Sequence, residues 1–405
     1  MEFTKVKIGS VAKFSQGIQV PIGKQYLTDT PERIKFIRIT DITSNGNEPP
    51  RYILDPGKKY CVTASDLFMV RYGSPQIVKG WSGALANNFF KLEVTNADID
   101  KEWLFYYLSQ EWVKRYCLNI SVSATMPAIS FKTFRNLEIH YPSCVVQNKI
   151  VQVLSTYDSL IKNNVKRIKL LEEKAKLTYE EWFVRMRFPG HETTPINNET
   201  GLPEGWEKVK LNEILKFNQG VQVPIDKQLK EKNPERVRFI RIVDVTQGGQ
   251  EERFIETPRK NQMVAEKDLF MVRYGAPQVV TNFKGAIANN FFKINIIDSS
   301  KVFPKYVYCF LDRKEIREYL MGVSVSATMP AISFKSFGQI KMVLPEISLQ
   351  KKFHDYVDSI FELILSLETQ NQRLKEALDI LLPRLMKGMI DVEQMNLETL
   401  KQTTA

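Results

Sequence analysis

The strongest constraint on this chain is that it is written twice. Residues 14–22, Phe-Ser-Gln-Gly-Ile-Gln-Val-Pro-Ile, return 203 positions later at 217–225 as Phe-Asn-Gln-Gly-Val-Gln-Val-Pro-Ile. Phe36-Ile37-Arg38-Ile39 returns as Phe239-Ile240-Arg241-Ile242, and the run Asp66 to Gly73 as Asp268 to Gly275. Ala86 to Lys91 returns as Ala288 to Lys293, and Ser121 to Ser130 as Ser324 to Ser333. Solenoid units run to roughly 20–50 residues, so this period marks a duplicated domain instead. The 405 residues suffice for two such domains, each with its own core.

Charge indicates the partner. The net charge of +11 points to a polyanion, and nucleic acid fits better than membrane because no basic amphipathic anchor stands out. No run approaches the ~18 apolar residues of a membrane span, and the first residues lack the layout of a signal peptide. Four cysteines without CxxC spacing and three histidines argue against a zinc site or a disulfide framework. A cytoplasmic protein is expected.

Each copy divides into a mixed part and a helical part. Short β-branched or aromatic runs at Lys35–Thr40, Leu67–Arg71, Phe89–Val94 and Leu137–Tyr141 read as strands. One amphipathic helix is expected around Lys101–Tyr116, with Leu104, Tyr107, Leu108, Trp112 and Tyr116 near one face. Strands that cluster without regular intervening helices make the class α+β. After Pro142 and Pro345 the pattern changes. Ile150, Leu154, Tyr157, Ile161, Asn164, Ile168, Leu171, Ala175, Thr178 and Trp182 alternate steps of four and three. Phe353, Val357, Ile360, Ile364, Leu367, Asn371, Leu374, Leu378, Leu381 and Leu385 do the same. Such spacing is a coiled-coil seam. Placing Asn164 opposite Asn371 in an antiparallel pair sets Ile150 against Leu385, Ile161 against Leu374, Ala175 against Ile360 and Trp182 against Phe353. The two asparagines are the expected register marks. Pro383 should kink the second helix near its end. The expected organisation is a domain over 1–143, a long helix over 144–186, a turn-rich linker over 187–205, a second domain over 206–346, a second long helix over 347–388 and a tail over 389–405. Two like domains on an antiparallel pair imply a pseudo-two-fold molecule. The seam of about 48 Å would then act as a ruler for inverted half-sites about one DNA turn apart.

Base edges are read by Arg, Lys, Asn, Gln, Ser and Thr, and phosphates by Lys and Arg. Three segments qualify. Arg71, Tyr72, Ser74 and Gln76, with Arg273, Tyr274 and Gln278, set a cation, an aromatic and an amide in a Gly/Pro turn directly after a strand. Gln16, Gln19 and Lys24, with Gln219, Gln222 and Lys227, alternate amides with apolar residues. Ser121, Ser123 and Thr125, with Ser324, Ser326 and Thr328, form a hydroxyl-rich loop leading to expected N-caps at Ser130 and Ser333. The same segments also read as a surface turn with a packed Tyr, a half-buried edge strand and an ordinary ordered loop. Lys79 becomes Thr281 while Ser82 becomes Lys284, a shift of charge along one loop that a phosphate contact tolerates. Arg38 and Arg241 lie in apolar runs, where an ion pair with Asp41 or Asp244 competes with DNA; Asn87-Asn88 reads as a turn. Residues 44–58 and 247–260 differ freely between the copies and are not expected to set base choice.

Taken together, the duplicated α+β domain, the long helix after each copy, and the phrases Leu202-Pro-Glu-Gly-Trp-Glu-Lys-Val-Lys-Leu and Leu381-Leu-Pro-Arg-Leu-Met-Lys-Gly resemble the specificity subunit of Type I restriction-modification enzymes. The strand and proline before each helix, Leu137-Glu-Ile-His-Tyr-Pro and Ile340-Lys-Met-Val-Leu-Pro, fit as well. The resemblance covers the whole chain. It implies two tandem target recognition domains on double-stranded DNA, each reading half of a bipartite site. It also implies helices that dock modification subunits, two in number, which bind S-adenosylmethionine and methylate adenine. Restriction subunits that use ATP and Mg would join through them. Families of this kind usually pair dissimilar recognition domains; close copies here point to a near-palindromic target.

Catalysis by this chain is not expected. No Asn/Asp-Pro-Pro-Tyr/Phe loop for amino methylation and no GxxxxGK[ST] loop for ATP occurs. The carboxylate-and-lysine run Pro203-Glu-Gly-Trp-Glu-Lys lies at a linker–strand junction. No cofactor is therefore expected on this chain. The rival readings are a stand-alone DNA-binding regulator and a coiled-coil scaffold.

Overall fold

The computed structural model describes residues 2–43, 48–120, 128–246, 251–322 and 331–393. Contacts divide the chain into two compact units, residues 1–163 with 371–405, and residues 164–370. Each unit holds one copy of the repeat and a stretch of each long helix.

In the first unit, strands Ala12–Gln16, Phe89–Val94, Leu67–Val70 and Ile77–Val78 form an antiparallel sheet in that order. Side chains alternate across a sheet. Leu67, Met69, Phe90 and Leu92 therefore join a core with Trp103, Leu104, Phe134 and Ile150. Phe68, Val70 and Phe89 join another with Phe36, Ile37 and Leu85. Both faces are covered, which is why Leu67–Val70 is apolar throughout rather than alternating. A second sheet runs Arg51–Leu54, Arg33–Ile37, Gly83–Leu85 and Cys61–Val62, with its central pair parallel. Strand Thr4–Lys7, which the sequence reading missed, pairs with Glu138–Tyr141. The second unit repeats all three sheets.

Two local expectations change. The helix expected over 101–116 is two, Lys101–Leu108 and Glu111–Asn119. At the break, Ser109 Oγ donates to Phe105 O at 2.7 Å, a side-chain bond that competes with helix continuation. The apolar run Lys35–Thr40 is strand only to Ile37, and Ile39–Thr43 is helical. Asp41 Oδ2 accepts the Arg38 N–H at 2.7 Å and turns the chain there. Of the expected caps, Ser333 accepts from Ser336 N at 3.0 Å, whereas the Ser130 side chain makes no cap bond.

The long helices are Cys144–Tyr179 and Ile347–Met386. In the first unit Ile150 and Leu154 share a core with Leu385, with Tyr157, Leu378 and Leu381 packed on it. In the second unit Asn164 Nδ2 donates to Gln370 Oε1 at 2.8 Å, and the Trp182 ring lies 5.9 Å from Phe353. Rising numbers meet falling ones, so the paired stretches run antiparallel. Asn164 and Asn371 are both buried. The second helix continues through Pro383 to Met386, and Lys387 N still reaches Pro383 O at 3.2 Å. The first ends in a π turn, Glu180–Val184. There the buried residues are Tyr179 and Phe183 rather than Thr178, continuing from Ala175 in steps of four. Both rings pack on Tyr306.

One buried amide bolts each domain to its helix. Gln147 accepts from Asp100 N at 2.8 Å and donates to Asp98 O and Pro142 O at 2.7 and 2.8 Å. Gln350 repeats this with Phe303 N, Lys301 O and Pro345 O. Among the described residues no helix is long and apolar enough to cross a membrane.

Candidate nucleic-acid interface

Two of the three candidate segments, and the residue that follows the third, converge on one turn. Phe89 N donates to Ala86 O at 3.0 Å and closes a tight turn at Asn87-Asn88. On one side, Gln16 Nε2 donates to Asn87 O at 3.2 Å, Gly17 N to Phe89 O at 3.0 Å, and Ile18 N to Leu85 O at 2.8 Å. The approach is so close that a Cβ on Gly17 would lie 2.1 Å from Ala86 O. On the other side, Arg71 N donates to Asn88 O at 2.8 Å. Tyr72 bridges antiparallel to Ala128, and Ile129 N donates to Arg71 O at 2.9 Å. Ala128 follows the hydroxyl-rich segment in the chain. The candidates within it, Ser121, Ser123, Thr125, Ser324, Ser326 and Thr328, lie outside the described residues. The second copy repeats the backbone frame: Gly220 N donates to Phe291 O, Arg273 N to Asn290 O, and Ile332 N to Arg273 O.

Arg71 is half-buried and already directed. Its Nε donates to Ile129 O at 3.0 Å, and its guanidinium lies 5.1 Å from the Tyr72 ring and 5.7 Å from Phe131. Arg273 does the same with Ile332 O at 3.2 Å, Tyr274 and Phe334. One edge of the fork is thus held internally. Among the described residues neither Nη of Arg71 or Arg273 has a hydrogen-bond partner, and those are the nitrogens that bidentate recognition of guanine uses. Ser74, Gln76 and Gln278 are exposed, and the backbone oxygens of Gln76 and Gln278 hold the turn by accepting from Val70 N and Val272 N, each at 2.9 Å. Gly73 and Gly275 adopt φ of 79° and 87°, the left-handed conformation such a turn requires.

The remaining candidates separate. Gln19 Oε1 lies 3.5 Å from Asn87 Nδ2, and Gln219 and Gln222 are exposed. Lys24, Lys227 and Lys284 are exposed and have no ion pair among the described residues. Lys79 is turned inward: it pairs with Glu102 and sits 4.1 Å from the centre of the Phe105 ring. Arg38 and Arg241, at strand–helix junctions rather than inside strands, are internal staples. Arg38 bonds Asp41 through Nε and Nη2 at 3.1 and 2.7 Å and also Pro49 O. The Asp41 hydrogen bond holds its guanidinium above the ordinary value. Arg241 bonds Asp244 and Glu251 O in the same way. The sequence reading missed Gln25 and Gln228, whose amides brace the loop by donating to Val20 O and Val223 O, each at 2.9 Å. Their recurrence after Lys24 and Lys227 was the available signal. Among the described residues no group of three or more His, Cys, Asp or Glu could hold a metal ion.

A half-buried Arg-Tyr pair followed by an exposed Gln, on a mixed domain built twice, makes this a two-domain protein with one candidate interface in each domain. The family described as the Type I restriction modification DNA specificity domain matches this chain twice, over residues 1–173 and 203–376. The chain belongs to that family, and its role is DNA sequence recognition in a restriction-modification system. It is 29% identical over 325 residues to the Type I restriction enzyme MjaIX specificity subunit of Methanocaldococcus jannaschii, covering 76% of this chain and 73% of that one. It is 22% identical over 373 residues to the HindI specificity subunit of Haemophilus influenzae, covering 76% and 81%. Its fold is similar to that of the Type I S subunit from M. genitalium, with a TM-score of 0.55 at 15% identity over 95% of this chain and 96% of that one. Family membership favours a reader that acts within such a system over a stand-alone regulator.

Proposed function

We propose that this chain is a non-catalytic reader that binds double-stranded DNA at a bipartite site with nearly alike, inverted halves, one half per domain. In this reading Arg71, Tyr72 and Gln76, with Arg273, Tyr274 and Gln278, contact bases. Lys24, Lys227 and Lys284 meet phosphates. Two modification subunits that bind S-adenosylmethionine and methylate adenine, and restriction subunits that use ATP and Mg, join it in the cytoplasm. The observation that supports it most is the frame around Asn87-Asn88 and its copy, which presents the same cation, aromatic and amide from two separate domains.

Methylome sequencing of a strain with and without this chain tests the target. The expected motif has two related halves, and unrelated halves overturn the near-palindromic reading. Arg71→Ala with Arg273→Ala should lower methylation of that motif by at least about 30-fold, since each lost base contact is worth roughly 1–3 kcal/mol. The complex should still assemble. Unchanged methylation removes this turn from the reading surface.

A further inference from the structure

The two most exposed large hydrophobic side chains among the described residues are Ile22, at 80%, and Ile225, at 86%. They occupy the same position of the two copies. A lone exposed apolar residue is ordinary, but the neighbouring ones behave differently. Leu27 and Leu54 are also exposed in the first copy, and their counterparts in the second are Lys230 and Glu256. Charge has replaced apolar surface there and has not done so at Ile22 and Ile225.

The turn that carries them is braced. Pro21 and Pro224 set φ at −58° and −57° ahead of each isoleucine. Lys24 N donates to Pro21 O at 2.9 Å and Gln25 N to Ile22 O at 3.0 Å. Lys227 N and Gln228 N repeat this at 3.1 Å each. The Gln25 and Gln228 side chains close the loop from below. A β-branched side chain on a fixed turn has few rotamers left to lose on binding. Beside each isoleucine stands an exposed lysine, and three residues before it an exposed glutamine, Gln19 or Gln222. A single apolar tip flanked by a cation and an amide is too narrow for a protein-docking patch and matches a DNA groove. There an apolar group packs on a thymine methyl or between base steps while the cation meets phosphate.

We propose that Ile22 and Ile225 insert into the DNA groove as the apolar base contact of each recognition domain. The inference rests on the DNA-reading role stated above. Asp226 replaces Gly23 beside the second tip, so the second domain should draw less of its affinity from phosphates.

The test uses the full chain in its complex. One fluorescein-labelled duplex carries the motif found by methylome sequencing and another carries that motif scrambled. Ile22→Ser with Ile225→Ser should weaken cognate binding by about 100-fold, roughly tenfold per tip. Scrambled-duplex affinity, salt slope and melting temperature should hold, because no phosphate contact or core residue is lost. Ile22→Val with Ile225→Val should restore most of the affinity. Unchanged cognate binding, an equal loss on both duplexes, or loss of a partner subunit with DNA binding intact would each overturn the proposal. A wild-type complex that does not distinguish the duplexes would instead overturn the DNA-reading role.

Discussion

The two copies share the backbone frame of the candidate interface and differ where each domain packs on its own long helix. In the first, Lys79 pairs with Glu102 over Phe105, and Tyr106 Oη donates to Asp158 Oδ2 at 2.6 Å. In the second the corresponding residues are Thr281, Lys305, Tyr308, Cys309 and Phe361. Lys305 now lies over Phe361 at 3.8 Å, with Asp358 at 4.0 Å. The sign of charge at the helix position has reversed. An internal contact can drift this way because both partners are encoded in one chain and can change together. The backbone frames around Asn87-Asn88 and Asn289-Asn290 had the same time to diverge and kept the same hydrogen bonds.

Four measurements bear on how alike the two copies are. The largest effect is expected at the frame itself: Gly17→Ala and Gly220→Ala place a Cβ 2.1 and 2.2 Å from backbone oxygens. Each should cost its own unit about 4 kcal/mol, near the top of the range for single substitutions. Hydrogen exchange resolved by unit would read the loss, and a tolerated alanine in one copy would show the frames to be unequal.

The helix bolts come next. Gln147→Leu and Gln350→Leu each strand several backbone groups without a partner, at a cost of about 3 kcal/mol, equal in the two units by thermal melting. At the seam the copies should part. Tyr106→Phe should destabilise the first unit by about 1–2 kcal/mol through loss of a charge-assisted bond, and the Cys309 position has no counterpart to lose. A melting temperature unmoved by Tyr106→Phe would mean the seam difference carries no energy.

The smallest effect concerns acid. Around the second seam a cavity of about 730 Å³ is lined by Glu172, Glu368 and Asp312, with Lys169, Lys176 and Arg317. Burial raises all three carboxyl groups, and their mutual repulsion adds to it for the glutamates. A folded carboxyl raised above its unfolded value binds its proton more tightly when folded. Its contribution to stability is therefore present below the unfolded value and lost as pH rises through the folded one. Glu368→Gln should flatten that decline and raise the melting temperature at pH 8 by about 1 °C, a small gain because solvent screens the glutamates. A fall on substitution would reverse the assigned sign.

Whatever is periodic or local could be read from the residues alone. The 203-residue duplication, the α+β class and the two long helices were legible because spacing and residue type alone carry them. So were strands such as Phe89–Val94, recovered with the same bounds. The tertiary structure decided whatever depends on a distant partner. Lys79 reads as an available phosphate ligand until Glu102, 23 residues on, takes it. Gln147 drew no notice in the sequence, and only the fold closes three backbone groups around it. Tyr179 takes the buried place predicted for Thr178 and Phe183 joins it against Tyr306, while Trp182 keeps its predicted contact with Phe353. Arg71 is positioned by Ile129 O, 58 residues away, which takes one nitrogen and leaves the other two without a hydrogen bond among the described residues. Periodicity is a property of neighbours along the chain, whereas which cation is spent and which remains is settled by groups that meet only after folding.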